Sequence, residues 1–552
     1  MTLADHSYWI YTYDRLGQVV SGKRYWQDGT PVAGQQFEYG FDDIGNRKTT
    51  ATGGDAGGAG LRPASYGANL LNQYTNRTVP GTVDILGVAN PTAGVTVNGN
   101  TAYRKGDYFW HPLSVNNTSA AQYPGVTTIS QYGAKATNAG KVFLAKTPET
   151  FIYDADGNLR QDGRWDYTWD GENRLVAMQT RSAALGSGVP EQRLEFTYDP
   201  QSRRLSKTVS NRVSGAWNLV SAHRFLYDGW NLLAIFDPQS SILQSFTWGL
   251  DLSGTLQGAG GVGGLLWVND AATLNNQPST HAACYDGNGN VTALVGFSDA
   301  SVSARYEYGP FGEPLRQTGP LAEASPFRFS TKFTDAETGL LYYGYRYYLP
   351  SLGRWLSRDP LLDEASLRKY LSEKRFSKPF ELRSELTKLP GYVFAFNGPT
   401  HQVDTDGRIS MAVWVTIGVG AAGTIWALLC ADTMLDRINQ ANTAVAAVAA
   451  GWTAGYSTTA EGTPMDALQH CIGTCMAIQR PGCCPRFLIR SQRARADRNE
   501  PGDLANNAVG FAMTGDCRAG CVAALAAGGL TCGGTTPTDP TFPCPAPPPA
   551  TP

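Results

Sequence analysis

A degenerate unit recurs between Tyr11 and Val291 and constrains the fold more than any other feature: aromatic-x-aromatic-Asp-x-x-Gly-Asn-Arg/Leu. Copies begin Tyr11-Thr-Tyr-Asp-Arg-Leu-Gly-Gln and Phe41-Asp-Asp-Ile-Gly-Asn-Arg47. Others are Tyr153-Asp-Ala-Asp-Gly-Asn-Leu159, Trp169-Asp-Gly-Glu-Asn-Arg-Leu175 and Tyr198-Asp-Pro-Gln-Ser-Arg-Arg-Leu205. Two more are Tyr227-Asp-Gly-Trp-Asn-Leu-Leu233 and Tyr285-Asp-Gly-Asn-Gly-Asn-Val291. Each reads as strand, tight turn, strand. Alternate aromatic residues share one sheet face, Asp and Asn bond to their own turn, and Gly supplies a positive φ. A lone hairpin is marginal in water, so such units must stack into a shared sheet. The 62 Gly, 26 Tyr and 13 Trp agree with many short aromatic strands.

A second set of motifs runs from Ala304 to Gly407. It contains Arg305-Tyr-Glu-Tyr-Gly-Pro-Phe-Gly-Glu, Pro326-Phe-Arg-Phe-Ser and Thr338-Gly-Leu-Leu-Tyr-Tyr-Gly-Tyr-Arg-Tyr-Tyr348. It continues through Leu352-Gly-Arg-Trp-Leu-Ser-Arg-Asp-Pro360 and closes with Asn397-Gly-Pro and Asp404-Thr-Asp-Gly407. This order resembles the repeat-associated core of RHS/YD-repeat proteins of the polymorphic-toxin type. The resemblance implies a mainly β fold, a shell of YD-repeat hairpins wound as a spiral sheet or partial cocoon, followed here by a small α-helical C-terminal region. The expected divisions are a repeat shell over 1–303, the core over 304–407 and a helical insertion at 361–389. A hydrophobic helical segment follows at 408–456, then a cysteine-rich helical tail at 457–530 and a disordered Pro-rich end at 531–552.

The resemblance also supplies a candidate reaction. In such cores two aspartates cut the chain and free the C-terminal domain. They come from the Arg-Asp-Pro motif and from a closing Asp-Pro-x-Gly. On this chain those positions are Asp359, flanked by Arg358, and Asp404, with a second acid at Asp406. Two carboxyls that share a proton can serve as base and acid, and Arg358 is expected to hold one ionised. The chain departs from the pattern in having Thr405 for Pro and Arg408 in place of an apolar residue. The bland reading is that Asp359 caps a turn and Asp404 orders the end of the core.

Other signals exclude more than they assign. A net charge of −2 gives no reason to expect nucleic acid as a partner. Six histidines without a metal-ligand spacing make zinc a poor expectation, and neither metal nor cofactor is predicted. Gly258-Ala-Gly-Gly-Val-Gly-Gly264 lacks the Lys-Ser/Thr of a phosphate loop and reads as close backbone packing. Residues 51–100 read as a loop-rich connection or a poorly patterned stretch of sheet.

The tail is a different kind of sequence. Nine of ten cysteines lie beyond residue 407, Cys284 being the exception, which fits an oxidising destination or a deliberate staple set. Residues 409–431 carry no formal charge and could span a bilayer or lie as a helix stored inside the shell. Cys471 and Cys475, and again Cys517 and Cys521, are four apart, as in a disulfide-stapled helical hairpin. Asp466 and His470 form a further candidate acid/base pair. No signal peptide opens the chain, and the first repeat begins almost at once, as in the downstream piece of something longer. The leading expectation is a secreted or cell-surface shell that holds its own C-terminal tail as cargo in intercellular competition. An immunity protein would be its partner, and the membrane another through 409–431. The alternatives are a membrane-anchored adhesion protein without a toxin and an inactive truncated copy.

Overall fold

The computed structural model describes residues 2, 3, 5–274, 277–362 and 391–408. The chain divides into two compact units, 1–413 and 414–552, and all described residues belong to the first. The expected helical insertion, beyond its first two residues, and the whole cysteine-rich tail lie outside the described residues. So do the 409–431 segment, Asp466 and His470.

The repeat turns fold as their chemistry dictates, and five of them share one geometry. At Asp42 the carboxylate Oδ1 accepts the N–H groups of Ile44 (3.2 Å) and Asn46 (2.7 Å), while Oδ2 accepts the Asn46 side-chain amide at 3.0 Å. Asp42 N–H donates to Asn46 O, and Gly45 N–H returns to Asp42 O. The same pattern recurs at Asp14, Asp170, Asp199 and Asp286. In two of these an Arg, not an amide, fills the second role: Arg174 Nε and Arg203 Nε each bond their Asp at 2.7 Å. The residue before the last is left-handed each time, whether Gly (Gly45, φ 83°) or not (Asn173, φ 59°; Ser202, φ 67°).

Strands joined by these turns pair antiparallel in strict chain order. Six, from Tyr8–Tyr13 through Tyr74–Arg77, form the first sheet, and Glu149–Thr150 at its far edge makes seven. Fourteen form the second, from Ile152–Tyr153 to Pro314–Thr318. A hydrogen bond across neighbouring repeats fixes their stacking. The aromatic residue of one repeat donates to the carbonyl that opens the strand after the preceding turn: Trp169 Nε1 to Leu159 O (2.7 Å), Tyr198 Oη to Leu175 O (2.6 Å), Trp248 Nε1 to Leu232 O (2.7 Å) and Tyr308 Oη to Val291 O (2.7 Å). Tyr285 does the same to Leu265. All five acceptor residues are buried. The aromatic position therefore supplies apolar area and a polar tip that pairs a backbone group.

Of the two readings of residues 51–100, the structure takes the sheet. Asp55 and Asn69 make the same turn as the repeats without the preceding aromatic pair. Residues 82–141 leave the first sheet to build a three-stranded sheet around Tyr108–Ser114 and a four-stranded one around Gly125–Tyr132.

The mainly β reading holds: the described helices are Ser182–Leu185 and three short 3-10 turns. The core motif begins inside the second sheet, whose strand Val302–Tyr308 crosses residue 304. Further on, short strands from Phe333–Thr334 to Arg354–Trp355 make a small sheet of their own. This sheet fills the apolar interior. Leu340, Tyr342, Tyr347, Leu352 and Leu356 pack with Leu159, Leu175, Leu194 and Val209 of the repeats. Phe327 packs with Phe246 and Leu265, and Phe311 with Trp9, Val19 and Phe37 of the first sheet. The core region thus serves as common filling for both large sheets.

Candidate functional site

Arg346 organises the site. It lies in the aromatic run Leu341-Tyr-Tyr-Gly-Tyr-Arg-Tyr-Tyr348, in a turn closed by Tyr343 N–H on Arg346 O and allowed by Gly344 at φ 101°. Its side chain is 2% exposed, with the guanidinium 4.1 Å from the Trp355 ring centre. A buried charge needs partners, and this one has four. Nη1 donates to Gly391 O at 3.1 Å, and Nε donates to the carbonyl of Gly407. Nη2 lies 2.6 Å from Asp359 Oδ2 and 3.6 Å from Asp404 Oδ2.

Each aspartate divides its oxygens between two tasks. Asp359 Oδ1 accepts Leu361 N–H at 2.8 Å, capping the short turn Pro360–Leu362. Asp404 Oδ1 accepts the N–H groups of Asp406 (3.2 Å) and Gly407 (2.8 Å), curling the closing segment over it. In both, Oδ2 is left for Arg346. Both acids thus cap a local turn with one oxygen and turn the other toward the same guanidinium. Asp359 Oδ2 accepts no aligned hydrogen bond among the described residues despite its closeness to the cation.

Burial governs the protonation of this group. It pushes the Asp404 carboxyl up to about 7, Arg346 opposing and the charges of Asp406 and Asp359 adding. Asp359 is likewise raised by burial against the pull of Arg346. Two buried carboxyls thus face one cation, and burial raises both.

Asp406 and Arg358 stand apart from that cluster. Asp406 Oδ2 pairs with Arg408 Nε at 2.9 Å. Arg358, expected to hold a carboxylate ionised, is exposed, and its methylenes lie against Gly157. The guanidinium in the site comes from Arg346, and burial outweighs its pull, so both carboxyls move up.

Two more features were not expected. Lys332 Nζ donates to Thr405 O at 2.6 Å and Gly260 O at 2.8 Å, and burial lowers its pKa to about 8 against the pull of Asp404 and Asp406. The glycine-rich loop 258–264 is thereby tied to the closing segment. A Cβ at Gly260 would come 1.8 Å from Thr405 O, so this loop does serve close backbone approach. Beside it a cavity of about 50 Å³, lined in part by Trp230, Trp248, Lys332 and Asp406, is large enough for water. Gly407 itself, at φ 81°, has no room for a side chain: a Cβ would sit 2.9 Å from Arg346 N. A lone charge inside an aromatic run was the available sequence signal for Arg346; Lys332 carried none.

Among the described residues no helix is long and apolar enough to cross a membrane. No family model matches the chain. Over 304 residues, 54% of this chain and 11% of the other, it is 25% identical to the tRNA nuclease WapA of Bacillus subtilis strain 168. It is 32% identical over 246 residues to the toxin protein Tse5 of Pseudomonas aeruginosa, covering 38% of this chain and 17% of that one. With the toxin subunit YenC2 of Yersinia entomophaga the figures are 24% over 375 residues, 63% of this chain and 34% of the other. The crystal structure of TcdB2-TccC3 aligns with 74% of this chain and 19% of that one, at 15% identity and a TM-score of 0.34. The chain thus spans about a tenth of the length of the WapA nucleases it matches, and its relatives include a nuclease and toxin proteins.

Proposed function

We propose that this chain is the shell of an RHS/YD-repeat protein that holds or presents the segment beyond residue 408 as cargo for intercellular competition. On this reading its core cuts the chain near residues 407 and 408. The observation that carries the proposal is Arg346: one buried guanidinium gathers Asp359, Asp404 and the Gly407 carbonyl. The similarity to toxin proteins supports the broader role. Export to the cell surface or medium and an immunity protein directed at the cargo complete the reading.

The chemistry is hydrolysis of a peptide bond. Asp359, nearer the guanidinium, acts in its ionised form and takes a proton from water as the water oxygen bonds to the carbonyl carbon. Negative charge developing on Gly407 O meets Arg346 Nε. Asp404, protonated below about pH 7, gives its proton to the amide nitrogen as the C–N bond breaks. The products are a new carboxylate on the core and a new amine on the cargo.

Intact mass after expression of the full chain tests the cut. A fragment ending near residue 408 is expected from the wild type and none from Asp359→Asn; a full-length wild-type chain under all conditions removes the protease claim. Expression of Arg408–Pro552 in a bacterium, in cytoplasmic and exported forms, tests the cargo. Unaffected growth in both would count against a toxin.

A further inference from the structure

Arg408, which stands where the pattern has an apolar residue, meets Asp406, the second acid of the closing segment. Arg408 Nε donates to Asp406 Oδ2 at 2.9 Å, Nη2 reaches the same oxygen, and Arg408 N–H donates to Asp406 Oδ1 at 3.1 Å. The guanidinium carbon lies 4.3 Å from the Tyr345 ring centre, and the Trp230 ring centre lies 5.0 Å from that of Tyr345, tilted by 51°. Tyr345 N–H donates to Asp406 O at 3.1 Å. Both charged side chains are less than one-fifth exposed. Gly344 makes room for Trp230 here, since a Cβ there would sit 2.8 Å from its ring.

We infer that Asp406 and Arg408, seated on Tyr345, form a specificity pair that fixes the register of the closing segment across the two acids. The inference rests on the self-cleavage reading. The pair neutralises itself one residue either side of Gly407, the residue whose carbonyl Arg346 holds. An apolar residue at 408 would leave the Asp406 charge uncompensated beside Asp404. Asp404 is faced by Arg346 and Tyr343 of the aromatic turn, by Asp359, by Lys332 and by Asp406 of its own segment. The Asp406 charge raises both acids, and Arg408 lowers Asp359.

The test compares full-length wild type, Asp406→Asn, Arg408→Leu, Arg408→Lys and the Asp406→Asn/Arg408→Leu double variant by intact mass over time and pH. Arg408→Leu is expected to cut about tenfold more slowly, the loss that accompanies one charge-assisted contact. Its products should include more than one terminus, and its pH profile should shift upward. Asp406→Asn should shift the profile downward, opposite shifts that a loss of folding would not produce. The double variant should return to within about threefold of wild type with a single terminus, and Arg408→Lys should fall between. Wild type that cuts, with all variants sharing its terminus, rate and pH profile, overturns the pair alone and leaves the cleavage reading standing. Wild type that never cuts overturns both.

Discussion

Asp404 carries the most consequential chemistry of any single residue. Its carboxyl is raised from the ordinary 3.8 to about 7 because burial outweighs Arg346. The folded chain therefore binds a proton more tightly than the unfolded one. That contribution is fully present below pH 3.8 and is lost as pH rises through about 7, a span worth roughly 4 kcal/mol. Melting curves taken across this window should show wild-type stability falling relative to Asp404→Asn, which has no proton to lose. Parallel curves would mean that the carboxyl is not held neutral. In the cleavage reading the same titration makes the rate fall above about pH 7. Asp359 and Asp404 were legible as candidates because each follows a recognisable motif. Arg346 was not, because only the fold brings an arginine from an aromatic turn between acids from two other segments. The neighbouring Arg358 looked closer in sequence and points elsewhere.

At the scale of the element, the repeat turn is a self-contained unit. One aspartate accepts two backbone N–H groups and one side-chain donor, and the strand that follows inherits its register from that geometry. Asp199→Ala removes the bonds to Gln201 N, Arg203 N and Arg203 Nε. It should cost about 1–3 kcal/mol, measured by urea denaturation; a change below about 0.5 kcal/mol would show that strand pairing alone holds the turn. Tyr198→Phe keeps the ring but loses the hydroxyl to Leu175 O and its contact with Tyr347 Oη at 2.8 Å. A loss of about 1 kcal/mol is expected in the same assay. The turns were readable because every interaction in them lies within five residues. Those at Asp55 and Asn69 escaped because their flanking residues lack the aromatic signature, so the 51–100 stretch was left open between loop and poorly patterned sheet.

Across the whole unit, buried charges tie separate parts together. Arg204 and Lys207 of the long sheet both bond Asp335 of the inner region, at 2.7 and 2.9 Å, where all three side chains are nearly dry. Burial works against the Asp335 charge, but the two cations outweigh it and keep it ionised. Asp335→Asn would strand both cations and should cost about 3–5 kcal/mol of stability; a loss under about 1 kcal/mol would show that Glu337, 2.5 Å from Lys207, suffices. The first sheet is joined to the last hairpin of the second in a similar way. Burial opposes the charge of Glu307, yet Arg316 and Arg24 hold its pKa at about 2. This joint has the opposite sign to Asp404, being kept at neutral pH and released only as pH falls toward 2.

What the amino-acid order determined by itself is local. Asp, Gly and Asn at fixed spacing close turns, alternate aromatics give each strand a dry face, and hairpins so made have no stable alternative to stacking in sequence. What tertiary structure alone decided is which charges meet. Residues 346, 359, 404 and 407 have no shared periodicity; they converge because the core must fill the interior of two sheets, and dehydration there forces every charge to find a partner. The protonation of that group follows from burial, a property that no spacing in the chain encodes.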